Sequence, residues 1–279
     1  MENHKLPIGE YIELFFDWLI DNAPWLFDAI SFVLEKVING STDALLLLNP
    51  IVFTLLVAIL AYRLHRSVSQ VVYVILALLT IWNLGYWQET MQTLSLVLYA
   101  TLLCILFALP LGIYAAHHPR LYVVMRPVLD LMQTVPSFVY LIPTLTLFGL
   151  GVVPGLISTI IFAIAAPIRL TYLGISEVPK EIYEAGQSFG ATRSQLLWRI
   201  ELPAAASSIA AGVTQCIMLS LSMVVISALV GADGLGKPVV RALNTVDIAA
   251  GFEAGLAIVL LAILLDRIFK QPKGKPRHD

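Results

Sequence analysis

Apolar runs separated by short polar breaks dominate the chain from residue 49 onward. Runs of roughly 49–65, 68–84, 93–116, 128–149, 153–175, 204–230 and 249–268 are apolar almost throughout. A helix needs about 20 mostly apolar residues to cross a bilayer. The pattern therefore predicts about seven transmembrane helices, the first two short. Pro136, Pro143 and Pro167 fall inside these runs and predict broken or kinked helices. The glycine-rich "GLGVVPG" at 149–155 reads as a tight external turn between two spans.

The first 47 residues follow another pattern. Glu10, Glu13, Asp17, Asp21, Asp28 and Glu35 recur at steps of three, four and seven, which places them on one stripe of a helix. Phe15, Trp18, Leu19, Trp25, Leu26, Phe32 and Val33 fall on the other faces. The expectation for 1–47 is an amphipathic helix at the outer interface, bent near Pro24. It could brace the spans, dock an external protein or serve only as an anchor. Residues 48–270 are expected to form one membrane domain, with 271–279 a basic cytoplasmic tail.

Charge sets the orientation. With the N-terminus outside, thirteen of the 17 Lys and Arg residues fall on the inner side. Only Lys5, Lys36, Lys237 and Arg241 fall outside. The positive-inside rule then puts the C-terminus and the segment 176–203 in the cytoplasm. The tail "KQPKGKPRHD" is placed to meet anionic lipid.

Composition agrees with a membrane protein. Hydrophobic residues make up 58% and charged residues 13% of the chain, against about 25% charged in a soluble domain. A net charge of −2 gives no electrostatic ground for a nucleic-acid partner. Cys104 and Cys216 lie in apolar runs and read as small hydrophobes. No His pair has the spacing of a metal site, and no Gly-rich loop carries the lysine of a phosphate cradle. No constellation of nucleophile, base or metal ligands appears, so the chain is expected to be no enzyme and to hold no cofactor.

The segment "YEAGQSFGATRSQLLWRIELP", 183–203, is charged and amphipathic between two spans. Pro179 suits a helix start, Gly190 a helix stop, and Thr192 with Gln195 a capping box. The expected form is helix, glycine turn, helix on the inner membrane surface, with Pro203 opening the next span. Such a hairpin suits a groove in a soluble partner.

This segment resembles the cytoplasmic loop of ABC importer permeases, whose pattern is Glu-Ala-Ala, three residues, Gly, nine residues, Ile, one residue, Leu-Pro. Glu184, Ala185, Gly190, Ile200, Leu202 and Pro203 match, and Gly186 replaces the second Ala. "DLMQTVPSFVYLIP" (130–143), "GLGVVPGLISTIIFAIAAPIRLTYLGI" (149–175), "MLSLSMVVISALVGADGLG" (218–236) and "AILLDR" (262–267) extend the resemblance to the glycine betaine/proline betaine uptake permeases of the ProW type.

The resemblance implies an all-α fold of the type I ABC importer permease kind, in a bacterial cytoplasmic (inner) membrane. It implies two copies of the chain, two cytoplasmic ABC ATPase subunits that hold ATP and Mg, and a separate external substrate-binding protein. Glu184, Ala185, Gly186, Gly190, Ile200, Leu202 and Pro203 would then couple the spans to the ATPase. The cargo would be an osmoprotectant such as glycine betaine, proline betaine or choline.

Candidates for the pathway rest on polarity alone. Gln133, Thr134, Gln215, Ser220 and Ser222 are polar residues in or near spans, and Pro136 marks a break. Polar groups in a membrane normally face protein or water, although Ser and Thr also bond their own backbone. Asp130 and Arg169 are the charges nearest the apolar runs, and the cost of a lone intramembrane charge suggests that they pair. The rival readings are a permease for another solute such as an amino acid, an ion-driven secondary transporter, and a non-transporting scaffold. Spans nearly free of acids count against the second.

Overall fold

The structure, a computed structural model, describes residues 7–270. The basic tail 271–279 and the first six residues, Lys5 among them, lie outside the described residues. Helices account for nearly all the rest, and no strand occurs among the described residues.

Helix α1 spans Ile8–Asn22 and α2 spans Pro24–Leu46. The break between them is at Ala23, because Pro24 occupies the first turn of α2 and cannot continue α1. The acidic stripe of α1 and α2 faces outward throughout. The other side of α2 packs Ile38 against Ala100 and Leu156, and sets Phe27 edge-on to Phe148 at 5.5 Å. Helix α3, Pro50–His65, leaves α2 at a bend of 100°. The Asn49 side chain caps it by accepting from the Ile51 amide at 2.9 Å.

Helices α3 and α4 (Val68–Asn83) have 16 residues each, a length of ~24 Å. Both are shorter than the hydrocarbon layer of about 30 Å. Helix α5, Trp87–His117, has 31 residues and outreaches it. Helix α6, Pro119–Thr134, ends where Val135 and Pro136 turn extended. A 3₁₀ turn, Ser137–Tyr140, leads to the short α7, Leu141–Phe148. The span expected over 128–149 is therefore a broken element bent by 103°. The cause is Pro136, which lacks an amide hydrogen and pushes Val135 out of the helical region.

Helices α8 (Val152–Ala163) and α9 (Ala165–Ser176) run as one 25-residue rod. Helix α12, Leu202–Ser227, the short α13, Gly236–Thr245, and helix α14, Ile248–Phe269, complete the bundle. Among the described residues four helices are long and apolar enough to span a membrane, or six with each bent pair counted once, and α4 is a shorter apolar helix. The seven apolar runs thus all become helical, but not seven straight rods.

One core joins α3, α4, α5, α12 and α14 through Phe53, Leu78, Met91, Ile217 and Leu261. Among the long helices, close approaches are made by missing side chains. A Cβ on Gly112 of α5 would lie 2.7 Å from the Thr171 Cβ and 2.9 Å from the Ile168 carbonyl of α9. A Cβ on Gly174 of α9 would lie 2.7 Å from the Ser208 Cβ of α12. Small residues at helix contacts are the usual means of membrane helix packing.

Gly112→Ala is expected to lower the thermal midpoint in detergent by an amount equivalent to about 1–3 kcal/mol, the usual cost of overpacking. Gly255→Ala on α14, where a Cβ meets nothing within 4 Å, is expected not to lower it.

Candidate functional site: the hairpin 180–201 and its contacts

Helix α10, Lys180–Ser188, starts after Pro179. Its end is a Schellman motif. The Ala191 amide donates to the Gly186 carbonyl at 3.1 Å, and the Gly190 amide to the Gln187 carbonyl at 2.9 Å. The motif needs a left-handed residue, and Gly190 has φ +77°. Thr192 then caps the next helix. Its hydroxyl accepts from the Gln195 amide at 3.4 Å, and its amide donates to the Gln195 side chain at 2.8 Å.

Helix α11, Arg193–Leu196, is not a separate element. It passes through a π turn, Leu197–Glu201, straight into α12. The rod from Arg193 to Val230 is 38 residues long. Pro203 opens the next span, as expected, but no break separates that span from the hairpin. Pro203 lies in the first turn of α12, and the wider π turn precedes it. Proline there removes the amide that would bond the Arg199 carbonyl, and a local π turn is one adjustment that re-satisfies a carbonyl freed in this way.

Within the hairpin, Gly186 lies under the second helix. A Cβ there would meet Ile200 Cδ1 at 2.5 Å and Leu196 Cδ2 at 2.8 Å. Both are ends of flexible side chains, so an alanine needs only rotamer shifts. Ile200 and Leu202 are half-buried, whereas Glu184, Ala185, Gly190 and Pro203 are exposed. Phe189, at the tip of the hairpin, is 92% exposed. Sequence reasoning passed over it, although an aromatic residue directly before the turn glycine of a charged loop was a legible signal.

The polar candidates separate into groups. Gln133, Thr134 and Pro136 are exposed at the end of α6, and Thr134 donates to its own helix at Leu131, 3.3 Å away. Gln215 and Ser222 lie on one exposed face of α12 with Met218 between them. A groove of about 490 Å³ there is lined by Ser207, Thr214, Gln215 and Met218 of α12 and Asp266 of α14. Ser220 points the other way. It is fully buried, and its hydroxyl has no hydrogen-bond partner.

Arg169 Nη2 of α9 donates to Asp130 Oδ1 of α6 at 2.6 Å. The Asp130 side chain is 49% exposed, which keeps such a pair within about 1 kcal/mol. Beside it Tyr122 and Tyr172 stack with ring centroids 3.4 Å apart. A second pair had no sequence signal. His117, in the last turn of α5, meets Glu201 at 3.0 Å across 84 positions of chain. Among the described residues no group of three or more His, Cys, Asp or Glu gathers as a metal site would.

Residues 108–271 match the family described as binding-protein-dependent transport system inner membrane component. The chain belongs to this family. It is 41% identical over 274 residues to the glycine betaine transport system permease protein OpuAB of Bacillus subtilis, covering 98% of this chain and 96% of that one. It is also 41% identical over 267 residues to the glycine betaine/proline betaine transport system permease protein ProW of Escherichia coli, covering 95% of this chain and 75% of that one. The MetNI methionine ABC transporter in its inward-facing conformation superposes with a TM-score of 0.57 at 20% identity, over 62% of this chain and 87% of that one. The permease therefore has the type I ABC importer fold and is a multi-pass inner membrane protein. Neither the ion-driven reading nor the scaffold reading fits this family.

Two substitutions probe the hairpin. Nothing lies within 4 Å of a Cβ on Gly190, so Gly190→Ala isolates the left-handed backbone penalty of about 1–2 kcal/mol. Tryptic cleavage at Arg193 should speed up in this variant and not in Gly186→Ala. For the α6–α9 pair, Asp130→Arg and Arg169→Asp are each expected to reduce the yield of folded permease. Combining the two should restore it, and a double variant no better than the singles would show that the contact is incidental.

Proposed function

We propose that this permease forms the membrane pathway of an ATP-driven importer for glycine betaine, proline betaine or a related quaternary ammonium osmolyte. The observation that carries the reading is the capped hairpin 180–201, exposed at its tip and continuous with α12, in a chain 41% identical to betaine permeases. Two copies of the chain would enclose the pathway. Two cytoplasmic ABC ATPases would hold ATP and Mg and grip the two hairpins. An external binding protein would deliver the osmolyte. The N-terminus then lies outside and the C-terminus inside, the orientation favoured by the distribution of Lys and Arg.

The hairpin is built for this role. Glu184 offers charge to a partner groove and Phe189 offers an apolar anchor. Gly190, Gly186 and Ile200 fix the angle between the two helices. Because α11, the π turn and α12 form one rod, displacement of the hairpin is displacement of a spanning helix. ATP binding to the partner would bias the spans toward the outward-open state, a two-state element shifted by a ligand bound elsewhere. The polar face of α12 at Gln215 and Ser222, with Gln133, Thr134 and Pro136 of α6, supplies candidates for the pathway wall. Ser220, buried inside the bundle, serves packing. The Asp130–Arg169 pair would hold α6 to α9 near the inner face.

The test is ATP hydrolysis by the permease co-assembled with its ATPase in lipid nanodiscs, with and without betaine-loaded binding protein. Loaded binding protein is expected to stimulate hydrolysis. Glu184→Arg should weaken the ATPase contact on the order of tenfold, the equivalent of one desolvated charge contact. Failure of the ATPase to co-purify with the wild type would overturn the reading.

A further inference from the structure

Between Ile200 and Leu202 the importer pattern leaves one position free, and here it is Glu201. It is the only charged side chain among the buried described residues, at 5% exposure. Its two carboxylate oxygens lie 3.0 and 3.1 Å from Nε2 of His117. A carboxylate is retained in such a place only where a partner satisfies it. Around the pair, the inner end of α5 stands away from the hairpin across a groove of about 950 Å³ lined by Pro110, Tyr114, Tyr183, Arg193 and Trp198. The pair is the polar tie across that groove.

Both sides of the tie are points where a helix can bend. Glu201 closes the π turn that joins α11 to α12. His117 lies seven residues beyond Pro110, which sits inside α5 and removes the hydrogen bond to the Leu106 carbonyl. Proline and π turns are where helices kink. Residues 110–117 thus form a short arm, and its end is fastened to the base of the hairpin.

We propose that His117 and Glu201 form a strut that carries movement of the hairpin into α5 as well as into α12. The proposal rests on the coupling role given to the hairpin above. With the strut in place, the inner ends of α5 and α12 move together when the hairpin is displaced. Without it the end of α5 beyond the Gly112 contact lags behind α12, and ATP is hydrolysed without full opening of the pathway. Both are positioning residues. Neither needs to touch the osmolyte or the ATPase.

Two measurements separate the strut from the importer reading. The first is hydrogen exchange on the permease alone in nanodiscs. His117→Ala and Glu201→Ala should raise exchange at residues 111–118 and leave α14 unchanged, and equal protection in wild type and variants overturns the strut whatever the protein transports. The second is betaine taken up per ATP hydrolysed by the full complex in proteoliposomes. Each alanine variant should lower this ratio on the order of tenfold, within the usual range of coupling between sites. His117→Gln, which keeps a nitrogen donor, should recover most of it, and the double alanine variant should be no worse than either single one. A wild-type ratio in His117→Ala, or additive losses in the double variant, overturns the proposal. If Glu201→Ala does not assemble, Glu201→Leu, which is of similar size and has no acceptor, takes its place under the same criteria. If the wild-type complex is not stimulated by betaine, the importer reading fails, and the exchange experiment alone decides the strut.

Discussion

Close approach of α5, α9 and α12 is the contact on which the rest of this membrane domain depends. Lipid offers no hydrophobic force to drive helices together, so they associate through tight packing and polar contacts. Gly112 lets α5 rest on the backbone of α9, and Gly174 lets α9 rest on α12. The other elements arrange themselves on this trio. Helices α3, α4 and α14 pack through Leu78, Ile81, Leu261 and Leu265 into the core that α5 and α12 share. Helix α2 leans on α5 and α8 through Ile38. Because the trio is packed at backbone distance, it transmits displacement with little slack.

The hairpin exploits that stiffness. Schellman turn, capping box, π turn and α12 follow one another directly, so a partner that held the tip at Phe189 would hold the adjoining end of a spanning helix. The π turn is the one irregular point in the rod from Arg193 to Ser227, and it is also where a buried carboxylate reaches over to α5. A backbone irregularity and a buried charge at the same place are uncommon in a structure built only for stability. A pair with one partner 41% exposed is a weak source of folding energy, and it suits a contact that must hold two elements in register.

The broken element 119–148 has a different logic. Non-helical backbone at membrane depth is tolerated where it is covered by protein or lines a cavity. Val135 and Pro136 form such a break, with Gln133 and Thr134 beside it. Tyr140 helps satisfy the freed groups, since its hydroxyl donates to the Met132 carbonyl at 3.0 Å. Thr144 and Ser158 share a hydrogen bond at 2.6 Å that ties the short α7 to α8. The break is thus held open by specific polar contacts and is not a frayed helix.

Local chemistry made much of this legible in the chain. The apolar runs, the break at Pro24, the stop at Gly190 and the Thr192–Gln195 box each depend on residues within a few positions of one another. The spacing from Glu184 to Pro203 depends on one short segment, so the family could be read from it. What the chain did not disclose involves partners far apart in sequence. His117 and Glu201 lie 84 positions apart, and no periodicity links them. The burial of Ser220 beside the exposure of Ser222 depends on which face of α12 meets α5. The union of α11 with α12 depended on whether Pro203 would break the rod or be absorbed by a π turn. By itself the sequence determined the helices, their caps and the membrane class, because those follow from propensity and hydrophobic period along the chain. The tertiary structure alone decided which faces meet, which polar groups pair and which helices move as one, because those depend on close packing between segments that the chain order does not bring together.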